Sequence, residues 1–231
     1  MSLLFEVPAA PSLAVLGEAA RFPVHRLFCV GRNYESHAQE MGFEADREAP
    51  FYFTKSPAAV VPSGSAVPYA PGTANLHYEM ELVVVLGQGG FRVAADRAMA
   101  LVYGYACGLD MTRRDLQNAA RDKGRPWDTG KDFENAAVLG PITRAADFGP
   151  LAAQRIVLTQ NGAVKQDQTI ADLIWSVPEL IADLSQYYHL RAGDVIYTGT
   201  PAGVGPVAAG DVLHGSIDGL EPVSLTIGAA E

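Results

Sequence analysis

The sequence predicts a mainly β protein with a few short helices, an α+β chain whose core is built from strands. Three observations point there. Short apolar runs recur along the chain between Gly, Pro and Asn turn signals. The stretch NLHYEMELVVVLG (75–87) turns apolar on both faces towards its carboxyl end, the mark of a strand buried on two sides. No GxGxxG or Walker-type loop accompanies the helical stretches, which argues against a nucleotide-binding α/β fold.

Residues 1–25 mix Pro and Ala and read as a lead-in segment, and residues 26–231 read as one domain, a common size for a single β-rich unit. RLFCVG (26–31) is a short buried strand closed by glycine. Asn33 is placed as the N-cap of a helix from Tyr34 to Met41, with Gly42 as its stop. FYFTK (51–55) is strand-like, and 75–87 is the clearest strand of all. RAMALVYGYACGLDMT (97–112) passes from helical spacing into a strand ending at Asp110. RRDLQNAARDKG (113–124) is helical and PWDTGKDF (126–133) a loop. Further strands fall near 153–162, 163–169, 193–201, 210–217 and 222–228, with Asn161-Gly162 as a hairpin turn. Ser176 caps a last helix over Val177–Tyr188.

Apolar residues make up 48% and charged residues 19%, a globular balance that excludes disorder. The formal net charge of −9 argues against nucleic-acid or anionic-membrane partners, which call for basic surfaces. A local basic cluster, Arg113, Arg114, Arg121, Lys123 and Arg125, is either an attractor for a small anion or a solvated helix face. Cys29 and Cys107 lie apart in apolar settings and read as buried thiols. No stretch approaches the ~18 apolar residues of a membrane span, and the cytoplasm is the default compartment.

Strand alternation puts His77, Glu79, Glu81, Val83 and Val85 on one face. Two carboxylates at the mouth of a buried strand repel each other and resist desolvation, so protons, basic partners or a cation must neutralise them. Asp110, ending an apolar strand just before a helix, is the candidate third ligand for a hard divalent ion. His37 and Glu40, at i and i+3 on the short helix, form either a water-activating dyad or a pair on a solvated face. Lys131 is either an oxyanion stabiliser or a solvated loop lysine. The turn TGTPAGVG (198–205) either grips a carboxylate or serves as a structural corner.

Five segments, VGRNYESHAQEM (30–41), NLHYEMEL (75–82), GYACGLDMTRRDLQ (104–117), RPWDTGKDF (125–133) and YTGTPAGVG (197–205), together resemble the fumarylacetoacetate hydrolase family. The likeness is greatest to its short single-domain acylpyruvase and fumarylpyruvate hydrolase branch, and it covers about residues 26–228. It implies a mixed β-roll, a homodimer, and Mg²⁺ or Mn²⁺ on Glu79, Glu81 and Asp110. His37 and Glu40 would activate water beside Lys131. Arg114, Gln117 and Thr200 would contact a 2-oxo acid substrate, with Arg32 and Tyr34 shaping the pocket lid. The implied reaction is hydrolysis of a carbon–carbon bond in a 2,4-dioxo acid, foremost fumarylpyruvate, as in the breakdown of aromatic compounds. Oxaloacetate decarboxylation or keto–enol tautomerisation is the alternative, and a non-catalytic metal-binding relative a further one. The family's Lys-Pro is replaced by Lys55-Ser56-Pro57, with the proline one residue on. The path of that loop and the role of Lys55 are therefore left to the structure.

Overall fold

The computed structural model describes residues 4–6, 8–40 and 47–231, and its elements follow the apolar runs of the sequence. The first half of the chain runs β1 (Ser12–Leu13), β2 (Phe22–Pro23), β3 (Arg26–Gly31), α1 (Glu35–Glu40), β4 (Phe51–Lys55), β5 (Val60–Pro62) and β6 (Ser65–Tyr69). It continues through β7 (Leu76–Tyr78), β8 (Met80–Leu86), α2 (Ala95–Ala98), β9 (Val102–Asp110), β10 (Thr112–Arg113), α3 (Arg114–Asp122) and α4 (Asp128–Lys131). The second half holds β11 (Ala137–Leu139), β12 (Thr143–Arg144), α5 (Ala145–Phe148), β13 (Arg155–Gln160) and β14 (Ala163–Thr169). It ends with α6 (Val177–Tyr187), β15 (Asp194–Tyr197), β16 (Gly205–Pro206), β17 (Val212–Ile217) and β18 (Val223–Ala230).

Two curled sheets share one core. An eight-stranded sheet, ordered β4-β3-β15-β8-β9-β11-β5 with β12 also on β9, faces a five-stranded sheet ordered β14-β13-β17-β18-β6. Val83 and Leu109 from the first and Ile156, Leu213 and Leu225 from the second belong to the same buried cluster. The mainly β roll expected from the pattern of short apolar runs is therefore what forms. Every residue of β8 is buried, as the two-sided apolar run predicts for a strand flanked by β15 and β9. The lead-in contributes too: β1 and β2 pair antiparallel, and Leu13, Val15, Phe22 and Val24 are buried.

Local chemistry accounts for the turns and caps. Asn161 and Gly162 have φ of 53° and 81°, the double positive-φ turn that matches strand twist. Ser176 and Glu179 close a capping box on α6, whose Val177, Leu180, Ile181 and Leu184 face the core. Cys29 and Cys107 are free and buried. Burial pushes the Cys107 thiol up to about 12, so it does not ionise at neutral pH.

Three expectations are corrected. The stretch 75–87 is two strands, because the chain leaves the small β10-β7-β16 sheet at Tyr78 and enters the main sheet at Met80. The first helix spans Glu35–Glu40, while Met41 and Gly42 lie outside the described residues. Asn33 does not cap it. Its amide instead donates to the Trp175 and Thr198 carbonyls at 2.9 and 2.8 Å and accepts from Trp175 N–H at 2.7 Å, which leaves nothing for the helix. Lys131 is not on a loop: it ends the one-turn helix α4 and is buried.

Candidate active site

The break between β7 and β8 and the β8–β9 register assemble the carboxylates. Met80 pairs with Leu109 and Glu81 with Gly108, so Glu79 lies across from Asp110. The Asp110 N–H donates to the Glu79 carbonyl at 2.9 Å and closes the pair. One oxygen from each of Glu79, Glu81 and Asp110 lies within 4.8 Å of the other two, and all three residues are buried.

Three cations surround this cluster, and each is engaged by Glu79 or Asp110. Lys131 Nζ donates to Glu79 Oε2 at 2.7 Å, Asp110 Oδ2 at 2.8 Å and Thr112 Oγ1 at 2.7 Å. Arg114 donates through Nη2 to Glu79 Oε1 and through Nη1 to Gln117 Oε1 at 2.5 Å. Lys55 Nζ lies 2.8 Å from Asp110 Oδ1, off hydrogen-bond geometry, so that oxygen has charge beside it but no hydrogen bond. Glu81 differs: it forms no ion pair among the described residues, and the Gly199 N–H donates to its Oε2 at 2.6 Å.

The electrostatics follow from this asymmetry. Burial opposes ionisation of Glu79, but Lys131 and Arg114 overcome it and hold that carboxyl well below the usual range. Burial, reinforced by Asp110 and Glu79, raises the Glu81 carboxyl well above it. A buried all-oxygen set with one carboxyl that no side-chain cation touches fits a hard divalent ion of the Mg²⁺ or Mn²⁺ class. The donor chemistry expected from strand alternation is thus present, with Glu79, Glu81 and Asp110 as the residues that would hold the ion.

The dyad is brought to the same place. His37 is 7% exposed and its Nδ1 lies 3.3 Å from Glu40 Oε2, so the imidazole is buried while the carboxylate of the pair stays exposed. Hydrogen bonding to His37, with help from the Gly203 N–H, lowers the Glu40 carboxyl despite partial burial. The turn 198–205 does grip carboxylates, and they are the protein's own. Gly199 and Gly203 sit at φ of 104° and 96°, and a Cβ at either would lie 2.7 Å from Asn33 Cβ or 2.0 Å from the Lys165 carbonyl. Only glycine turns these N–H groups onto Glu81 and Glu40. Thr200 lines the cleft, and its hydroxyl donates to the Met80 carbonyl at 2.8 Å.

A cleft of about 500 Å³, including its open mouth, collects His37, Glu79, Glu81, Arg114, Gln117, Lys131, Thr200 and Arg32. Tyr34 does not line it; the ring is fully buried behind the wall. Of the basic cluster, Arg114 and Arg121 face the cleft, Arg113 lies over the Phe133 ring at 4.2 Å, and Lys123 and Arg125 are exposed.

Lys55 has a role that the sequence left open. It is 2% exposed, does not line the cleft, and donates to the Met111 carbonyl at 3.0 Å and to the Lys131 carbonyl. One ammonium thereby ties the end of β4 to Asp110 and to the helix bearing Lys131. A signal was present: alternation puts Lys55 on the face of Phe51 and Phe53, an odd place for a solvated lysine. Pro57 opens a short 3₁₀ turn capped by Ser56, so the displaced proline starts that turn and leaves Lys55 in the strand. Lys55→Met is expected to destabilise the metal-free protein by about 3–5 kcal/mol, the cost of orphaning a buried charge partner. Urea unfolding monitored by tryptophan fluorescence checks it.

Fold and centre define a class: a β-roll with a buried carboxylate cluster that could hold a divalent ion, beside a hydrogen-bonded histidine–glutamate pair. Residues 26–228 match the family described as fumarylacetoacetate (FAA) hydrolase C-terminal, and the chain belongs to that family. It is 56% identical over 194 residues to fumarylpyruvate hydrolase from a Ralstonia species, covering 83% of this chain and all of that one. A crystal structure of fumarylpyruvate hydrolase from Pseudomonas aeruginosa, in complex with Mn²⁺ and pyruvate, superposes with a TM-score of 0.95 at 46% identity, covering 99% of this chain and 100% of that one. The oxaloacetate tautomerase YcgM of Escherichia coli is more distant, 36% identical over 204 residues, with 88% of this chain and 93% of that one covered.

Proposed function

We propose that this chain is a divalent-metal-dependent hydrolase that splits fumarylpyruvate into fumarate and pyruvate. The observation that carries the reading is that His37, partnered by Glu40, lines the same cleft as Glu79, Glu81 and Lys131, with the buried Asp110 completing the carboxylate cluster. Similarity to fumarylpyruvate hydrolases, one of them solved with Mn²⁺ and pyruvate, supports the substrate and the ion.

When bound, a divalent ion supplies Lewis acidity towards the 2-oxo-carboxylate end of the substrate. Glu40 accepts from His37 Nδ1, which leaves Nε2 as the base that takes a proton from water. The resulting hydroxide adds to the C4 carbonyl. Collapse of that oxyanion breaks the C3–C4 bond, and the electron pair passes into the pyruvate enolate. His37 then returns its proton to C3, releasing pyruvate beside fumarate. Lys131 has all three ammonium hydrogens engaged, so it acts as a fixed positive charge near the developing anion. Arg114 and Gln117, locked to each other at 2.5 Å, and Thr200 present polar groups for substrate contact.

Steady-state turnover of fumarylpyruvate is expected to rise at least about 100-fold with Mg²⁺ or Mn²⁺ over EDTA-treated protein. Equal rates in the two conditions would sink the reading. A second reading, oxaloacetate tautomerisation or decarboxylation, is supported by the likeness to YcgM and needs the carboxylates and Lys131 but no activated water. Two further features of the proposal, a homodimer and a place in aromatic-compound breakdown, rest on family resemblance, and a cytoplasmic setting is the default compartment. No helix among the described residues is long and apolar enough to cross a membrane.

A further inference from the structure

Helix α3 lays four residues along the cleft wall, Arg114, Gln117, Asn118 and Arg121, at the i, i+3, i+4 and i+7 spacing of one helical face. The wall changes character along it. Arg114 and Gln117 are buried at the carboxylate end, whereas Asn118 and Arg121 are half-buried. Seven residues of helix separate Arg114 from Arg121 by about 10 Å. The same cleft also carries the apolar side chains of Val30, Phe53 and Trp127.

Two guanidinium groups therefore stand at the outer part of one cleft, Arg121 from α3 and Arg32 from the turn after β3. Arg32 holds a left-handed φ of 55°, costly for a residue with a side chain, and its guanidinium stacks on the Phe51 ring at 5.2 Å. Gly31 makes room for that ring, since a Cβ there would lie 2.0 Å from its tip. Burial disfavours the Arg32 cation; Glu48 offsets part of this and outweighs the smaller repulsion from Arg121. Arg121 donates through Nε and Nη2 to Asp122 Oδ1 at 3.2 and 3.1 Å. Two guanidinium groups sharing one cleft with Arg114 and apolar side chains suit a ligand with a second carboxylate at its far end.

We infer that Arg121, with Arg32, binds the distal carboxylate of the substrate, making the cleft selective for dicarboxylic over monocarboxylic 2,4-dioxo acids of similar length. This rests on the proposed reading of the inner end, where the 2-oxo-carboxylate is anchored. A seven-carbon diacid spans six bonds, about 7.6 Å between its terminal carbons at two-thirds of a residue repeat per two bonds. That length, with the carboxylate oxygens added, is comparable to the helical distance between the two ends.

The test is a matched pair of non-cleavable ligands, 2-oxoheptanedioate and 2-oxoheptanoate, titrated calorimetrically into the Mn²⁺-loaded protein. The diacid is expected to bind about 10- to 100-fold more tightly, the range for hydrogen bonds to a charged group. Arg121→Gln should collapse that ratio towards one, and Arg121→Lys should restore part of it. Equal affinities in the unaltered protein, no binding of either ligand, or a ratio unchanged in Arg121→Gln would each overturn the inference. The assay involves no bond cleavage. Selective diacid binding by a protein that leaves fumarylpyruvate intact would overturn the hydrolase reading alone.

Discussion

Glu81→Gln is expected to lower metal-supported turnover on the order of a thousandfold, the several kcal/mol that a Lewis-acid ion contributes, while making the metal-free protein more stable. The two effects have one cause. Glu81 is the carboxyl that burial, Asp110 and Glu79 raise, and it is the one with no ion pair among the described residues. Glutamine keeps an oxygen for the Gly199 N–H and removes the buried charge. The sign with pH follows. A carboxyl raised in the folded state makes folding bind protons, so the metal-free protein loses stability as pH rises from the unfolded value towards the raised one. The substituted protein lacks that loss, so the gap between the two widens with pH. Melting in EDTA across a pH series measures it, at about 2–4 °C per kcal/mol for a chain of this length. Calorimetric titration with Mn²⁺ should show affinity collapsing in the variant. A variant that melts lower than the parent in EDTA at every pH would contradict the account.

His37→Ala is expected to reduce fumarylpyruvate hydrolysis by about 10²–10⁴, the usual worth of a positioned general base. Its effect on Mn²⁺ affinity should be small, because His37 lies in the dyad with Glu40 while the three carboxylates would carry the ion. Any oxaloacetate enolisation or decarboxylation by the parent should persist, since neither needs hydroxide. Parallel loss of both activities would place His37 in metal or substrate binding instead. A companion Glu40→Gln should cause a smaller fall: it leaves the imidazole in place but removes the charge that selects its Nδ1–H tautomer.

Much of this molecule is legible in one dimension. Strand periodicity located β3, β4, β13, β14 and β18 within a few residues, because alternation and turn residues are local properties. Asn161-Gly162 and Ser176–Glu179 specify their turn and cap through backbone chemistry confined to a few residues. The Glu79, Glu81 and Asp110 candidates could be reached because charge in an apolar strand demands compensation wherever the strand is placed. The failures are equally physical. Asn33 has the side chain of a helix cap, and only the approach of residues 175 and 198, far along the chain, diverts it. The continuous apolar pattern of 75–87 hides a change of sheet at Glu79, since burial in either sheet selects the same residue types.

For the site, the sequence alone determined which carboxylates must be neutralised and that a histidine and a glutamate share one helix face. Those conclusions need only the periods of strand and helix. The tertiary structure decided the rest. It set three cations on two of the carboxylates and left Glu81 to a single glycine N–H. It also turned a loop lysine and a strand lysine into buried charges at one centre, and it spread a basic cluster between the cleft, its rim and solvent. Charge compensation is a sum over neighbours in space. Residues 55, 79, 110, 131 and 199 become neighbours only when the eight-stranded sheet forms and α4 packs on it.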